Sequence, residues 1–176
     1  MAQIDFMVSG IVPAIQQPTP NTCWATAATI LYSWKNSASS DIETVLSTAA
    51  PQFLPMFQGD QGLPGDQKPA LLQSLGLTTE PPQDFSSDGW LQLLQSYGAL
   101  WVTTNEGSGQ FFSAHARILK GLSGDGTPDA TMMAIVDPGD GTENTESVTD
   151  FTQKFDDVAR QDLGDGADFR PQVVHF

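Results

Sequence analysis

Four side chains in this 176-residue sequence could combine into acyl-transfer chemistry: Cys23, His115, Asp137 and Gln17. Cys23 is the only cysteine. A thiol attacks as its thiolate, so it needs a base within hydrogen-bond reach. His115 can be that base and then the acid that protonates a leaving group. A carboxylate such as Asp137 can hold the imidazole in the right tautomer. A developing oxyanion needs fixed donors, which the Gln17 amide and the backbone N–H of Cys23 could supply. Alternatives exist for three of the four roles. His175 is the other histidine, but it sits at the chain end with no acidic residue after it. Asp140 stands behind Asp137, and Gln16 beside Gln17.

The elements that must position these groups are readable locally. Pro18 and Pro20 exclude regular helix up to that point, because proline restricts the residue before it. Asn21 and Thr22 are capping types. From there Trp24, Ala27, Ala28, Leu31 and Trp34 recur at helical spacing, which predicts a helix from about Cys23 to Lys35. Cys23 then lies at a helix N-terminus, where free N–H groups and the positive dipole end favour a thiolate.

Further on, Ser40-Asp41-Ile42-Glu43 is a capping-box pattern and predicts a helix over 41–49. Residues 51–66, rich in Pro, Gly and Gln, read as a loop. A short helix over 67–75 closes at Gly76, and 77–86 reads as a linker with Pro81-Pro82 in extended conformation. Ser87 or Asp88 is the expected cap of a helix carrying Trp90, Leu91, Leu94 and Tyr97, stopped by Gly98. Strands follow over 99–104, 114–120, 131–137 and 172–176, with a short helix over 147–155 and a polar loop over 160–170. Helices first and antiparallel strands second is an α+β layout. His115 and Asp137 fall on consecutive strands. If these pair through the 122–130 turn, both side chains emerge on one face, looking across a cleft at the Cys23 helix.

Composition narrows the possibilities. The length suits one domain, or one domain in two lobes, here a helical lobe over about 15–97 and a sheet lobe over about 98–176. One cysteine excludes an internal disulfide and a multi-cysteine zinc site. A net charge of −14 argues against nucleic acid or an anionic membrane as partner. No apolar run reaches the roughly 18 residues of a membrane span. The N-terminal MAQIDFMVSG lacks the basic region of a signal peptide. The expectation is a protein cytoplasmic in its producer, with any export by another route. The turns GDGTPD and DPGDGTEN hold several acids but lack the register and closing Glu of a calcium loop, so no metal or cofactor is expected.

Gln-x5-Cys-Trp-Ala, then His115 running through Ala116-Arg117-Ile118-Leu119-Lys120 to Gly121, then Ile135-Val136-Asp137-Pro138, resembles the papain-like cysteine peptidases. It is most similar to their compact bacterial branch, which includes effector proteases injected by plant pathogens; bacteriocin-processing peptidases are more distant relatives. Tyr97-Gly98-Ala99-Leu100-Trp101-Val102 resembles that branch's strand motif, with Ala99 where proline is usual. The resemblance spans about 15–155. It implies a two-lobed papain-like fold, with Cys23 on the helical lobe and His115 and Asp137 on the sheet lobe.

It also implies a cysteine endopeptidase with Gln17 in the oxyanion hole, acting on a protein or peptide substrate. The protein would be an effector or antibacterial toxin delivered into a target cell by a specialised secretion system such as type VI, and a toxin would require a protective inhibitor protein. The same residues equally permit an amidase, a deamidase or an acyltransferase, because the first chemical step is shared. A binding module that keeps the fold without catalysis is the expectation from a different class.

Overall fold

The computed structural model describes residues 3–164 and 170–176. Its helices are α1 (Cys23–Lys35), α2 (Ile42–Ala49), α3 (Leu54–Gln58), α4 (Lys68–Leu75), α5 (Ser87–Tyr97) and α6 (Val148–Gly164). Its strands are β1 (Ile4–Met7), β2 (Thr78–Thr79), β3 (Leu100–Asn105), β4 (Ala114–Gly124), β5 (Thr131–Asp137), β6 (Thr142–Ser147) and β7 (Val173–His175). All seven strands join one antiparallel sheet in the order β2-β7-β3-β4-β5-β6, with β1 added against β4. The α+β class expected from the sequence is the class observed.

Alternation along the strands divides the core in two. One face of the sheet presents Trp101, Ala116, Ile118, Val136 and Val174 to α1, α2 and α4, whose Ala27, Ile30, Leu31, Leu46 and Leu71 are buried there. The other presents Leu100, Val102, Leu119, Ile135 and Val173 to α5 and α6. Trp90 of α5 sits edge-on to Phe151 and Phe155 of α6 at 5.4 and 5.5 Å between ring centroids. The sheet is therefore a middle layer, with the Cys23 helix in front and α5–α6 behind.

β4 is the organising strand. Its first half lies between β3 and β5, its second between β1 and β5, and a bulge between Leu119 and Gly121 separates them. A one-residue slip turns every following side chain to the other face. The bulge absorbs such a slip, so both halves of β4 keep their apolar residues inward.

Several boundaries differ from the sequence reading. Residues 51–66 are not all loop: Pro51–Phe53 form a 3-10 turn leading into α3, where Phe53 and Phe57 are buried against α1 and α2. Apolar anchors here override the Pro- and Gly-rich composition. The 77–86 linker contributes the two-residue β2, because β7 offers an edge to pair with. Ser86, one residue earlier than expected, caps α5 by accepting from Gly89 N–H. Thr142–Ser147 is a strand, although 142–144 read as the end of a turn and Ser147 as the start of a helix; its residues are largely exposed and lack an alternating apolar signal. α6 runs to Gly164, so residues 160–164 are helical, and the remainder of that expected loop, 165–169, lies outside the described residues.

Gly98 shows how tightly the joint between α5 and β3 is made. Its φ is +82°, and a Cβ placed there would lie 2.1 Å from the Trp34 ring. Gly98→Ala should therefore destabilise the protein by about 3 kcal/mol, from strain at positive φ plus overpacking. Chemical denaturation followed by tryptophan fluorescence checks this; a loss below about 1 kcal/mol would mean that Trp34 can swing aside.

Candidate active site

Cys23 is the first residue of α1. The helix end is left open: Thr22 makes no side-chain cap, and its hydroxyl donates instead to the Thr19 carbonyl at 2.9 Å. Asn21 does not cap either. Its backbone N–H and side-chain amide both bind Asp60, at 3.0 and 3.2 Å. The capping role expected of Asn21 and Thr22 is thus replaced by bonds that shape the approaching loop. The leading N–H groups of α1, which have no partner within a helix, stay directed at the Cys23 end. Trp24 is held by its indole N–H, which donates to the Gln61 carbonyl at 3.0 Å. The Asp60–Gly62 stretch is thereby pinned beside Cys23.

The sheet brings the other groups. His115 is the second residue of β4 and Asp137 the last of β5, and these strands pair directly. His115 Nε2 lies 2.6 Å from Asp137 Oδ1. His115 and Cys23 line the same cleft, close enough that each favours the other's charged form, and with Nε2 taken by the carboxylate, Nδ1 is the nitrogen left for the thiol. The Gly139 N–H donates to the same Asp137 oxygen at 2.7 Å, fixing the carboxylate from behind. The Asp-Pro-Gly sequence carries a signal for that second bond, since an aspartate commonly accepts from the N–H two residues on.

These contacts set the charges. Burial alone pushes the Cys23 thiol up, but hydrogen bonds from His115 and from the Ala116 and Trp24 N–H groups outweigh it and bring it below its ordinary value. Burial pulls His115 down, yet its bonds to Asp137 and Cys23 raise it to about 9. Asp137 is likewise pushed up by burial and brought down further by His115 and Gly139 N–H. These shifts favour a thiolate–imidazolium pair, beside an ionised carboxylate, over the neutral thiol–imidazole pair.

Behind His115, Arg117 is buried on the Phe151 ring and pairs with Glu106 and Glu146 at 3.0 and 2.7 Å. Lys154 joins the same two acids at 3.0 and 2.7 Å. This network ties β4 to β6 and α6 under the histidine.

A cleft of about 390 Å³ opens in front of Cys23 and His115. One wall is Gly62, Leu63 and Gly65; the other includes Phe112, Ser113 and Ala114. The end of the 51–66 segment and the stretch leading into β4 therefore both line it. With its geometry in place, comparison with known families is decisive: the model of the papain-like cysteine protease AvrRpt2 matches residues 8–156. The chain belongs to that family. No curated protein gives a significant match to it. The matched span of this AvrRpt2-family chain includes Gln17, Cys23, His115 and Asp137, and the expected family, fold class and enzyme class agree with it.

The remaining sequence candidates separate. Asp140 is occupied by its own turn, accepting from Thr142 N–H and Oγ1 at 3.0 and 2.8 Å. Asp125 accepts from Thr127 in the same way, which accounts for the acidic turns; among the described residues no group of His, Cys, Asp or Glu is arranged to hold a metal. His175 stacks on Tyr97 at 3.6 Å and contacts Glu80 at 3.0 Å.

Gln17 is held near the site by its backbone N–H, which donates to the Pro138 carbonyl at 2.7 Å. Its side chain differs from the simple expectation. Nε2 donates to the carbonyls of Thr19 and Pro20, each at 2.9 Å, while Oε1 is buried without a partner. In this arrangement both amide hydrogens brace the loop ahead of Cys23 and none is spare for an oxyanion.

Proposed function

We propose that this cysteine protease is an endopeptidase that cleaves protein substrates through a Cys23–His115–Asp137 triad. The observation carrying the reading is that the imidazole bound to a carboxylate at 2.6 Å lines the same cleft as the helix-end thiol. The Cys23 thiolate adds to the substrate carbonyl. The His115 imidazolium then protonates the leaving amine as the tetrahedral intermediate collapses to a thioester. Neutral His115 next takes a proton from water, hydroxide character develops at the thioester carbonyl, and the acid is released.

The first oxyanion donor is the Cys23 backbone N–H, which sits at the open end of α1 and needs no rearrangement. Gln17 is the second. To act, its amide must turn from the Thr19 and Pro20 carbonyls. The unpartnered Oε1 weakens its hold on the resting position.

Delivery into a target cell as an effector or toxin is part of this proposal, as is an inhibitor protein protecting the producer; family membership is the support for the effector part. The test is a comparison of protein termini in target lysates treated with wild type and with Cys23→Ala. New termini should arise only with wild type. Mass changes on intact substrates without new termini would instead assign deamidation or acyl transfer.

A further inference from the structure

The cleft holds a cation that the hydrolytic chemistry does not use. Lys68 is the first residue of α4 and lines the same cleft as Cys23, His115, Trp101 and Gln172. Its position is unfavourable on three counts. The chain has seven Lys and Arg against 21 Asp and Glu, yet this lysine is not spent on a surface ion pair. It stands at a helix N-terminus, where the dipole opposes a positive charge. It is also drawn into the cleft wall, and burial brings its ammonium down to about 8 despite the nearby charges of Asp162 and Cys23.

What holds Lys68 there leaves it unsatisfied. Nζ donates to the Pro171 carbonyl at 2.9 Å and sits 5.0 Å from the centre of the Trp101 ring. An ammonium has three donors, and among the described residues no carboxylate lies within ion-pair distance of this one. The acid on the cleft wall, Asp162, is engaged by Arg170, accepting its backbone N–H at 3.1 Å and lying 3.6 Å from its Nε. Arg170 also lines the cleft. Among the described residues, and apart from the Cys23–His115 pair, the lining of this cleft thus holds two cations and one acid that is already occupied.

We propose that Lys68 is a specificity-determining residue that receives the carboxylate of a substrate Asp or Glu side chain lying within two residues of the bond cleaved. This rests on the peptidase reading above. The ammonium lies over the Trp101 ring in the cleft lining, and among the described residues only Pro171 accepts from it. A carboxylate satisfies its remaining donors with charge-assisted bonds that an amide cannot equal, and it repays the lysine for its desolvation.

The experiment digests a proteome-derived peptide library with wild type, Lys68→Met and Lys68→Glu, and reads sequence preference around each cut. Wild type should favour Asp and Glu over Asn and Gln by about tenfold or more at one position, a charge-assisted bond being the difference. Lys68→Met should lose that preference, and Lys68→Glu should shift it to Lys and Arg. Cutting by wild type with no acidic preference overturns the inference. So does a preference that survives in Lys68→Met, or a rate loss in Lys68→Met that is equal for acidic and amide peptides.

If wild type cuts nothing, the peptidase reading fails by itself, and binding decides the cleft. The library is then passed over immobilised Cys23→Ala protein with and without Lys68→Met. Acidic peptides retained only where Lys68 is present support the inference, a result opposite to what net charge alone gives. Equal retention overturns it.

Discussion

Cys23→Ala should lower proteolysis by at least about 10⁴-fold while leaving the fold in place. The loss follows from chemistry: no other group in the chain can form the thioester, since Cys23 is the only cysteine. The fold should survive because the Cys23 side chain is only partly buried, and the α1 core rests on Trp24, Ala27, Ala28 and Leu31. Stability should stay within about 1 kcal/mol of wild type. Any shift within that range should be a gain, since a partly buried thiol held for reactivity opposes stability. The measurement pairs peptide hydrolysis with a thermal melt. Undiminished hydrolysis by the alanine variant would remove Cys23 from the mechanism.

The second large effect concerns the histidine and its carboxylate. His115→Gln should reduce kcat/KM by about 10³-fold or more, since it removes both the base and the acid. The wild-type pH profile should be a bell. On the acid side activity falls as the thiolate is protonated, at a pH below that of an ordinary cysteine because Cys23 is lowered. On the alkaline side it falls near about 9, where His115 gives up its proton and can no longer protonate the leaving amine.

Asp137→Asn removes a partner that raises His115, so its alkaline limb should move to lower pH and the active window should narrow from that side. Iodoacetamide labelling of Cys23 against pH gives an independent reading: His115→Gln should shift thiolate formation upward. An Asp137→Asn alkaline limb that stays in place would assign the raised imidazole to Cys23 alone.

The two kinds of information in the chain differ in range. The Cys23 helix was legible residue for residue because its determinants are neighbours: Pro18 and Pro20 before it, and a 3.6-residue apolar period within it. Gly76 and Gly98 ended their helices for equally local reasons of backbone conformation. The short α3 and the exposed β6 were not legible. What makes α3 a helix is Phe53 and Phe57 finding α1 and α2, and what makes Thr142–Ser147 a strand is the free edge of β5. Neither partner is visible within a local window.

The site divides along the same line. By itself the sequence determined the chemical inventory: one thiol at a helix start, a histidine and an aspartate on strands, and a glutamine six residues before the thiol. Residue type and short-range periodicity suffice for that. Only the tertiary structure decided which of these groups meet. The register of β4 on β5, set by the Ile118–Val136 pair, carries His115 to Asp137 and leaves Asp140 to its own turn. The loop ahead of Cys23 engages the Gln17 amide with two carbonyls. Docking of α4 against Trp101 and Pro171 turns Lys68, an unremarked residue in the sequence, into a cation inside the cleft. Each of these outcomes depends on contacts between segments far apart in the chain, which packing of the whole fold selects and no local pattern encodes.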